Sequence, residues 1–227
     1  RQIECVAPKL VILENRLLAT HLPMLREAGC VVVAMDAAAD LPADVQSLPD
    51  LIETVSDADN DVALEQNSHI AMMRFTGGTT GKGKCAMYTP DNIMACRDSF
   101  FMHGELGWDA ATRVLHVAPL SHGSAMLYYP TLFSGGTNIT MNALDLDAWI
   151  DAVESERVSH SFLVPTALYR LLELQKAAPR NLASLRTLIY GAAPMSPAKL
   201  QDLLDCFGPL FVQSYGATEA AMIISLL

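Results

Sequence analysis

The 227-residue chain is 51% hydrophobic and carries a formal net charge of −10, enough apolar content for one large domain or two small ones. Nine acidic residues lie between Asp36 and Glu65, where Lys and Arg are absent, so the acidity is local and argues against nucleic acid as a partner, whose phosphates want a basic face. The sequence has no run of 18 apolar residues, which predicts no membrane span, and its five scattered cysteines without a Cys-x-x-Cys pair indicate neither a disulfide framework nor a zinc site and fit a reducing cytoplasm.

In chain order, Leu10–Leu13 reads as a buried strand. Asn15 reads as the cap of a helix with Leu17, Leu18, His21, Leu22 and Leu25 at helical spacing and Gly29 at its end, and residues 30–35 as a second strand. Strand, helix and strand with short connections predict a parallel βαβ unit, and the lack of Gly-x-Gly-x-x-Gly after either strand sets a Rossmann dinucleotide site aside. Residues 36–66 read as a solvated acidic connection with one short helix. Strands are then predicted over residues 68–75, 85–89, 113–117, 137–141, 158–164, 185–190, 210–212 and 222–224. Helices are predicted over 91–102, 125–133, 146–155, 165–175 and 197–205, with Pro165 in its helix's first turn. The sum is an α/β fold with largely parallel sheets and flanking helices, with ligand loops at strand ends. Its expected division is a βαβ subregion with the acidic connection over residues 1–66 and a core over 67–227.

The core is organised around Phe75-Thr76-Gly77-Gly78-Thr79-Thr80-Gly81-Lys82-Gly83-Lys84, ten residues holding four glycines, three threonines and two lysines. Glycines let backbone approach a ligand, hydroxyls and freed N–H groups donate to anionic oxygens, and lysines supply charge. A plain hairpin tip uses the same residue types but does not need ten of them. Gly78, four residues, then Gly83-Lys84 also fits a nucleotide-triphosphatase P-loop, in which Ser or Thr and a helix must follow at once. Here Cys85 follows, then a short strand, and Thr89 with Pro90 opens a later helix.

The run resembles the signature loop of the adenylate-forming superfamily of acyl-CoA synthetases, luciferases and peptide-synthetase adenylation domains, which lies between two strands. Thr76 to Gly81 and Lys84 match that pattern. Gly83 stands where proline is usual and Cys85 where glycine is usual, which predicts a looser loop. Gln213-Ser214-Tyr215-Gly216-Ala217-Thr218-Glu219 is similar to the family's Tyr-Gly-x-Thr-Glu motif. By that resemblance Tyr215 packs on adenine, Thr218 contacts the α-phosphate and Glu219 holds magnesium; Ser214, Gly216 and Ala217 belong to the same nucleotide site. Gly191-Ala192-Ala193-Pro194 is similar to the small-residue turn lining the adenine and acyl pocket, and Ser196 also reads as a helix cap. Pro119-Leu120-Ser121-His122 resembles the Pro-x-Phe-His turn of acyl- and aryl-CoA ligases, with Ser121 in place of the aromatic and His122 at the substrate carboxylate.

The resemblance implies a two-step activity: a carboxylate attacks the α-phosphorus of Mg-ATP to give an acyl-adenylate and pyrophosphate, and a thiol, that of coenzyme A, then displaces AMP. Lys84, His122, Thr218 and Glu219 are its implied catalytic residues. Amino-acid-activating members place an aspartate near residue 122 to pair the substrate ammonium. No acidic residue occurs between Pro119 and Leu144, so the expected substrate is a carboxylic acid without an α-amino group, its apolar tail on Met126 or Phe162. The resemblance further implies that the chain is an internal piece of the family's large N-terminal domain, inactive alone, with the C-terminal domain and its lysine absent. An adenylating domain that loads a carrier protein, and a nucleotide-binding remnant without catalysis, share every residue quoted.

Overall fold

The computed structural model describes residues 2–55, 69–77, 83–121 and 123–224, and of residues 221–224 the backbone. The chain divides into two compact units, residues 1–63 and 64–227.

In the first unit, helix α1 (Gln2–Val6) precedes strand β1 (Leu10–Leu13), helix α2 (Asn15–Glu27), strand β2 (Val31–Ala34), strand β3 (Gln46–Ser47) and helix α3 (Leu48–Thr54). The three strands form a parallel sheet in the order β1-β2-β3, so the predicted βαβ unit is present. Leu18, Leu22 and Leu25, at helical spacing on α2, pack with Val32, Ala34 and Val45 in one apolar cluster. Asn15 does not cap α2 as expected. The cap position is Glu14, whose side chain makes no cap bond. The Asn15 amide instead donates to the Asp36 carbonyl (3.0 Å) and its oxygen accepts from the Asp36 N–H (3.1 Å), serving two backbone groups that the sheet leaves unpaired just past β2. The acidic connection holds the expected short helix, α3, started by Ser47, whose hydroxyl accepts from the Asp50 N–H at 3.2 Å.

The second unit opens with β4 (Met72–Phe75) and β5 (Cys85–Tyr88), an antiparallel pair. Helix α4 (Pro90–Phe101) follows from a capping box in which Thr89 and Asn92 exchange side-chain-to-backbone bonds of 3.2 and 3.0 Å. After a 3-10 turn at Gly104–Leu106 come β6 (Arg113–His116), α5 (Ala125–Phe133), β7 (Thr137–Thr140), α6 (Leu146–Glu156), β8 (His160–Leu163), α7 (Pro165–Ala177), β9 (Thr187–Tyr190), α8 (Pro197–Phe207), β10 (Phe211–Ala217) and β11 (Ala220–Ile224). These six strands form one sheet, β11-β10-β9-β8-β6-β7, parallel except for the β10–β11 pair. Every residue of β8 and β9 is buried, as expected for central parallel strands covered on both faces. Trp149, Leu168, Leu171 and Leu188 lie in one core cluster, Phe100, Leu127, Phe162 and Ile189 in another.

Strand β10 and the cap of α8 depart from the sequence reading. Strand β10 runs five residues beyond the expected end because β11 pairs with it antiparallel, Ser214 opposite Ile224 and Ala217 opposite Ala220. The Tyr-Gly-x-Thr-Glu run is therefore a strand end and hairpin turn. Ser196 stands at the cap position of α8, but its side chain makes no cap bond; its N–H donates to the Tyr169 hydroxyl at 3.1 Å. Because β6, β8, β9 and β10 run parallel, the segments after His116, Leu163 and Tyr190 and the far half of β10 leave the sheet at one end, the edge at which such sheets bind ligands.

Candidate functional site: a cavity between the phosphate hairpin and the end of the sheet

The ten-residue loop joins β4 to β5, between two strands and not ahead of a helix. Its base is closed by backbone: the Thr76 N–H donates to the Lys84 carbonyl at 2.8 Å, and the Lys84 N–H donates to the Thr76 hydroxyl at 3.0 Å. A Cβ on Gly83 would stand 2.5 Å from the Thr76 carbonyl oxygen, so the residue expected to loosen the loop lies tightly against its opposite strand. Gly77 has open space around its Cα, and the Lys84 side chain is exposed. Gly78, Thr79, Thr80 and Gly81 lie outside the described residues, as does His122.

Across from this hairpin lies a cavity of about 420 Å³, lined by Arg74 and Tyr88 on one side and by Ser121, Gly123, Met126, Phe162, Ala192 and residues 214–218 on the other. It brings together three of the four motif segments singled out in the sequence, represented by Ser121, Ala192 and residues 214–218, beside the two strands that carry the fourth. The Tyr88 hydroxyl donates to the Thr218 carbonyl, joining β5 to the turn after β10 across 130 residues of sequence. Ser214 is buried and its hydroxyl donates to the Tyr190 carbonyl at 3.2 Å. Gly191 packs against the same residue, since a Cβ there would meet the Ser214 carbonyl at 2.5 Å and its hydroxyl at 2.6 Å. Tyr215 is 71% exposed, which leaves its ring free to stack on a flat ligand. Gly216 and Ala217, which follow it, are exposed, as is Ala193. Met126 and Phe162 supply an apolar wall, and a Cβ on Gly123 would lie 3.6 Å from the Phe162 ring.

The sequence profile of AMP-binding enzymes matches residues 1–227. The chain belongs to the AMP-binding enzyme family. It is 37% identical over 155 residues to a medium/long-chain-fatty-acid–CoA ligase of Mycobacterium tuberculosis, covering 68% of this chain and 27% of that one. It is 40% identical over 154 residues to a feruloyl-CoA synthase of an Amycolatopsis species, covering 67% and 31%. Among solved structures it resembles an amide bond synthetase of Marinactinospora thermotolerans, with a TM-score of 0.80, 28% identity, 97% of this chain and 43% of that one. The chain thus spans about a third of the length of these curated relatives.

In this member of the AMP-binding family, Glu219 stands apart from the main cavity. It lines a second cavity of about 280 Å³ on the other side of Tyr88, with Met87, Asn92, Cys96 and Ser99. No group of three or more His, Cys, Asp or Glu side chains gathers among the described residues. The donor set therefore fits a hard cation only when phosphate oxygens and water complete its shell, the manner in which magnesium is usually held.

Sequence reasoning missed Arg74 and two buried histidines. His116 Nε2 donates to the Asn138 side-chain oxygen at 2.7 Å, and its Nδ1 accepts from the Ser124 hydroxyl at 3.0 Å. Burial holds its pKa below the ordinary value. The Asn138 amide passes the bond on to the Tyr128 carbonyl at 3.3 Å, so the turn carrying Ser121 and Gly123 is tied to the sheet through one neutral imidazole. The signal was present: His116 and His160 each sit in a short apolar strand.

Ala192 adopts φ +65°, a left-handed conformation that costs a residue with a Cβ about 1 kcal/mol. Ala192→Gly is expected to stabilise the chain by about 1 kcal/mol, read as a higher urea midpoint at unchanged m-value. A lower midpoint would show that the turn is not strained.

Proposed function

We propose that this chain forms the nucleotide- and acid-binding core of an AMP-forming carboxylic acid–CoA ligase. The observation that carries the reading is the Tyr88–Thr218 bond, which holds the phosphate hairpin against the Tyr215–Glu219 turn with a partly apolar cavity between them. In this reading Thr76, Gly77, Gly78, Thr79, Thr80, Gly81 and Lys84 take the β- and γ-phosphates. Tyr215 and the Gly191–Ala193 turn take the adenine, Ser214, Gly216 and Ala217 line its site, and Thr218 takes the α-phosphate. Glu219 supplies the protein ligand for magnesium, which when bound neutralises charge on the phosphates. His122 borders the acid. The residues bind and orient, and fixed donors stabilise charge on the transferring group.

The substrate is a small carboxylic acid without an α-amino group, since among the described residues the cavity lining contains no carboxylate to pair an ammonium. Met126, Phe162 and Gly123 receive its apolar part. Coenzyme A as acceptor, in preference to a carrier protein, is supported by the two relatives whose names state it. Among the described residues no helix is long and apolar enough to cross a membrane, and the protein is proposed to work in the cytoplasm.

The test is ATP–pyrophosphate exchange with a panel of fatty and aromatic acids, followed by AMP release on adding coenzyme A. Exchange that requires an acid is expected, and Glu219→Gln should shift its magnesium dependence to higher concentration. Nucleotide hydrolysis indifferent to every acid would overturn the reading. If exchange needs further residues of a longer protein, the 227-residue chain alone is expected to bind ATP without turnover.

A further inference from the structure

We propose that Arg74 receives the carboxylate of the acid substrate. The assignment rests on the acid-activating reading above and goes beyond it by naming the residue that recognises the reacting group.

Arg74 lies on β4 opposite Ala86, two residues before Thr76 and on the same face of the strand. Its side chain lines the main cavity together with Ser121, Met126, Phe162 and Thr218. No carboxylate among the described residues pairs with it, whereas Arg16, Arg26, Arg97, Arg113, Arg180 and Arg186 each hold one. Its Nε is buried without a hydrogen-bond partner, and a guanidinium in a partly apolar cavity is costly unless an anion completes it.

The group is also held in place. Its Cζ stands 5.6 Å from the centre of the Tyr88 ring, a cation–π contact, and Tyr88 is anchored through its hydroxyl to Thr218. The contact holds the guanidinium at the cavity, where its N–H groups suit a planar anion, which a carboxylate matches in fork geometry. The same anchor fixes which anion. One tyrosine ring spans the distance between Arg74 and the Thr218 turn, so a carboxylate on Arg74 sits at the reacting end of the acid, beside the proposed α-phosphate contact. The apolar wall of Met126 and Phe162 then lies beyond it for the tail.

The test compares equilibrium binding of ferulic acid and decanoic acid with binding of their primary amides, at saturating non-hydrolysable ATP analogue. The parent is expected to prefer acid over amide by about tenfold or more, the scale of a charge-assisted pair. Arg74→Gln should abolish that preference and leave affinity for the ATP analogue alone within about twofold. Arg74→Lys should keep part of it, because charge remains without the fork. Thermal melting of each variant establishes that it is folded; if Arg74→Gln is not, Arg74→Lys must still narrow the preference. A preference that survives in both variants, or a nucleotide affinity that falls as far as the acid affinity, overturns the assignment. A parent that binds nucleotide but shows no acid-over-amide preference overturns it too and leaves nucleotide binding standing. A parent that binds no nucleotide overturns the underlying reading instead.

Discussion

MgATP affinity is expected to fall on the order of 10- to 100-fold when Lys84 is replaced by alanine, the loss of one charge-assisted contact of about 1.5–3 kcal/mol. The substitution is unusually clean. Among the described residues Lys84 contributes to the hairpin through its backbone: its N–H donates to the Thr76 hydroxyl and its carbonyl accepts from the Thr76 N–H. Alanine keeps both bonds, so the hairpin base survives while the exposed ammonium is removed. Titration calorimetry with MgATP and with MgAMP separates the effect, since the side chain is assigned to the outer phosphates: the ATP affinity should fall and the AMP affinity should hold. Unchanged ATP affinity would sink the assignment of this loop to phosphate. Thr76→Val provides the converse experiment, because it removes the acceptor at the hairpin base and leaves the charge.

Stability is expected to fall by on the order of 3 kcal/mol as pH drops from about 6.5 to about 4 through His160. His160 is fully buried on β8, stacked on Trp108 at 4.6 Å, with Nε2 donating to the Leu106 carbonyl and the Ser159 hydroxyl 2.8 Å from Nδ1. Burial is the largest cause of its lowered pKa, about 4; the Leu106 bond and Asp109 raise it, and Arg186 lowers it. The sign follows from proton counting. Between about pH 6.5 and 4 the unfolded chain holds the proton that the folded chain refuses, so acid favours unfolding across that window, and below it the penalty grows no further. His116 acts in the same direction. Urea unfolding at pH 7.5 and pH 5, above the range where carboxylates titrate, should show a loss of about 2 kcal/mol that shrinks in His160→Phe. An equal loss in that variant would remove His160 as its source.

What the sequence disclosed and what it concealed divide by range. The α/β alternation, the βαβ unit, the hairpin between β4 and β5 and the start of α4 at Thr89-Pro90 all rest on signals a few residues long. Periodicity, a capping pair and a glycine-rich run act locally, and the fold obeys them. Asn15 shows the limit of such signals, because its amide had two uses and a strand brought next to it in space decided between them. The length of β10 depended on pairing with β11, which no property of residues 213–217 alone announces. The cavity was less legible still. Glycine, threonine and tyrosine motifs marked its parts, but the Tyr88–Thr218 bond spans 130 residues, and nothing local distinguishes Tyr88 from any aromatic on a strand. Arg74 was hidden in an otherwise apolar strand, and what sets it apart is its surroundings, a tyrosine ring and, among the described residues, no carboxylate partner.

If the cavity takes an acid as proposed, Gly123 is the place where its apolar wall has room to change. A methyl group built there reaches the Phe162 ring at an ordinary contact distance of 3.6 Å, so alanine fits without displacing backbone, while the corresponding atom on Gly191 would collide with Ser214 at 2.5 Å. The wall at Gly123 thus tolerates an added carbon, whereas the turn at Gly191, proposed to take the adenine, does not. On the proposed reading, Gly123→Ala should alter which acids are accepted and leave nucleotide affinity unchanged, so that the two ends of the cavity can change independently.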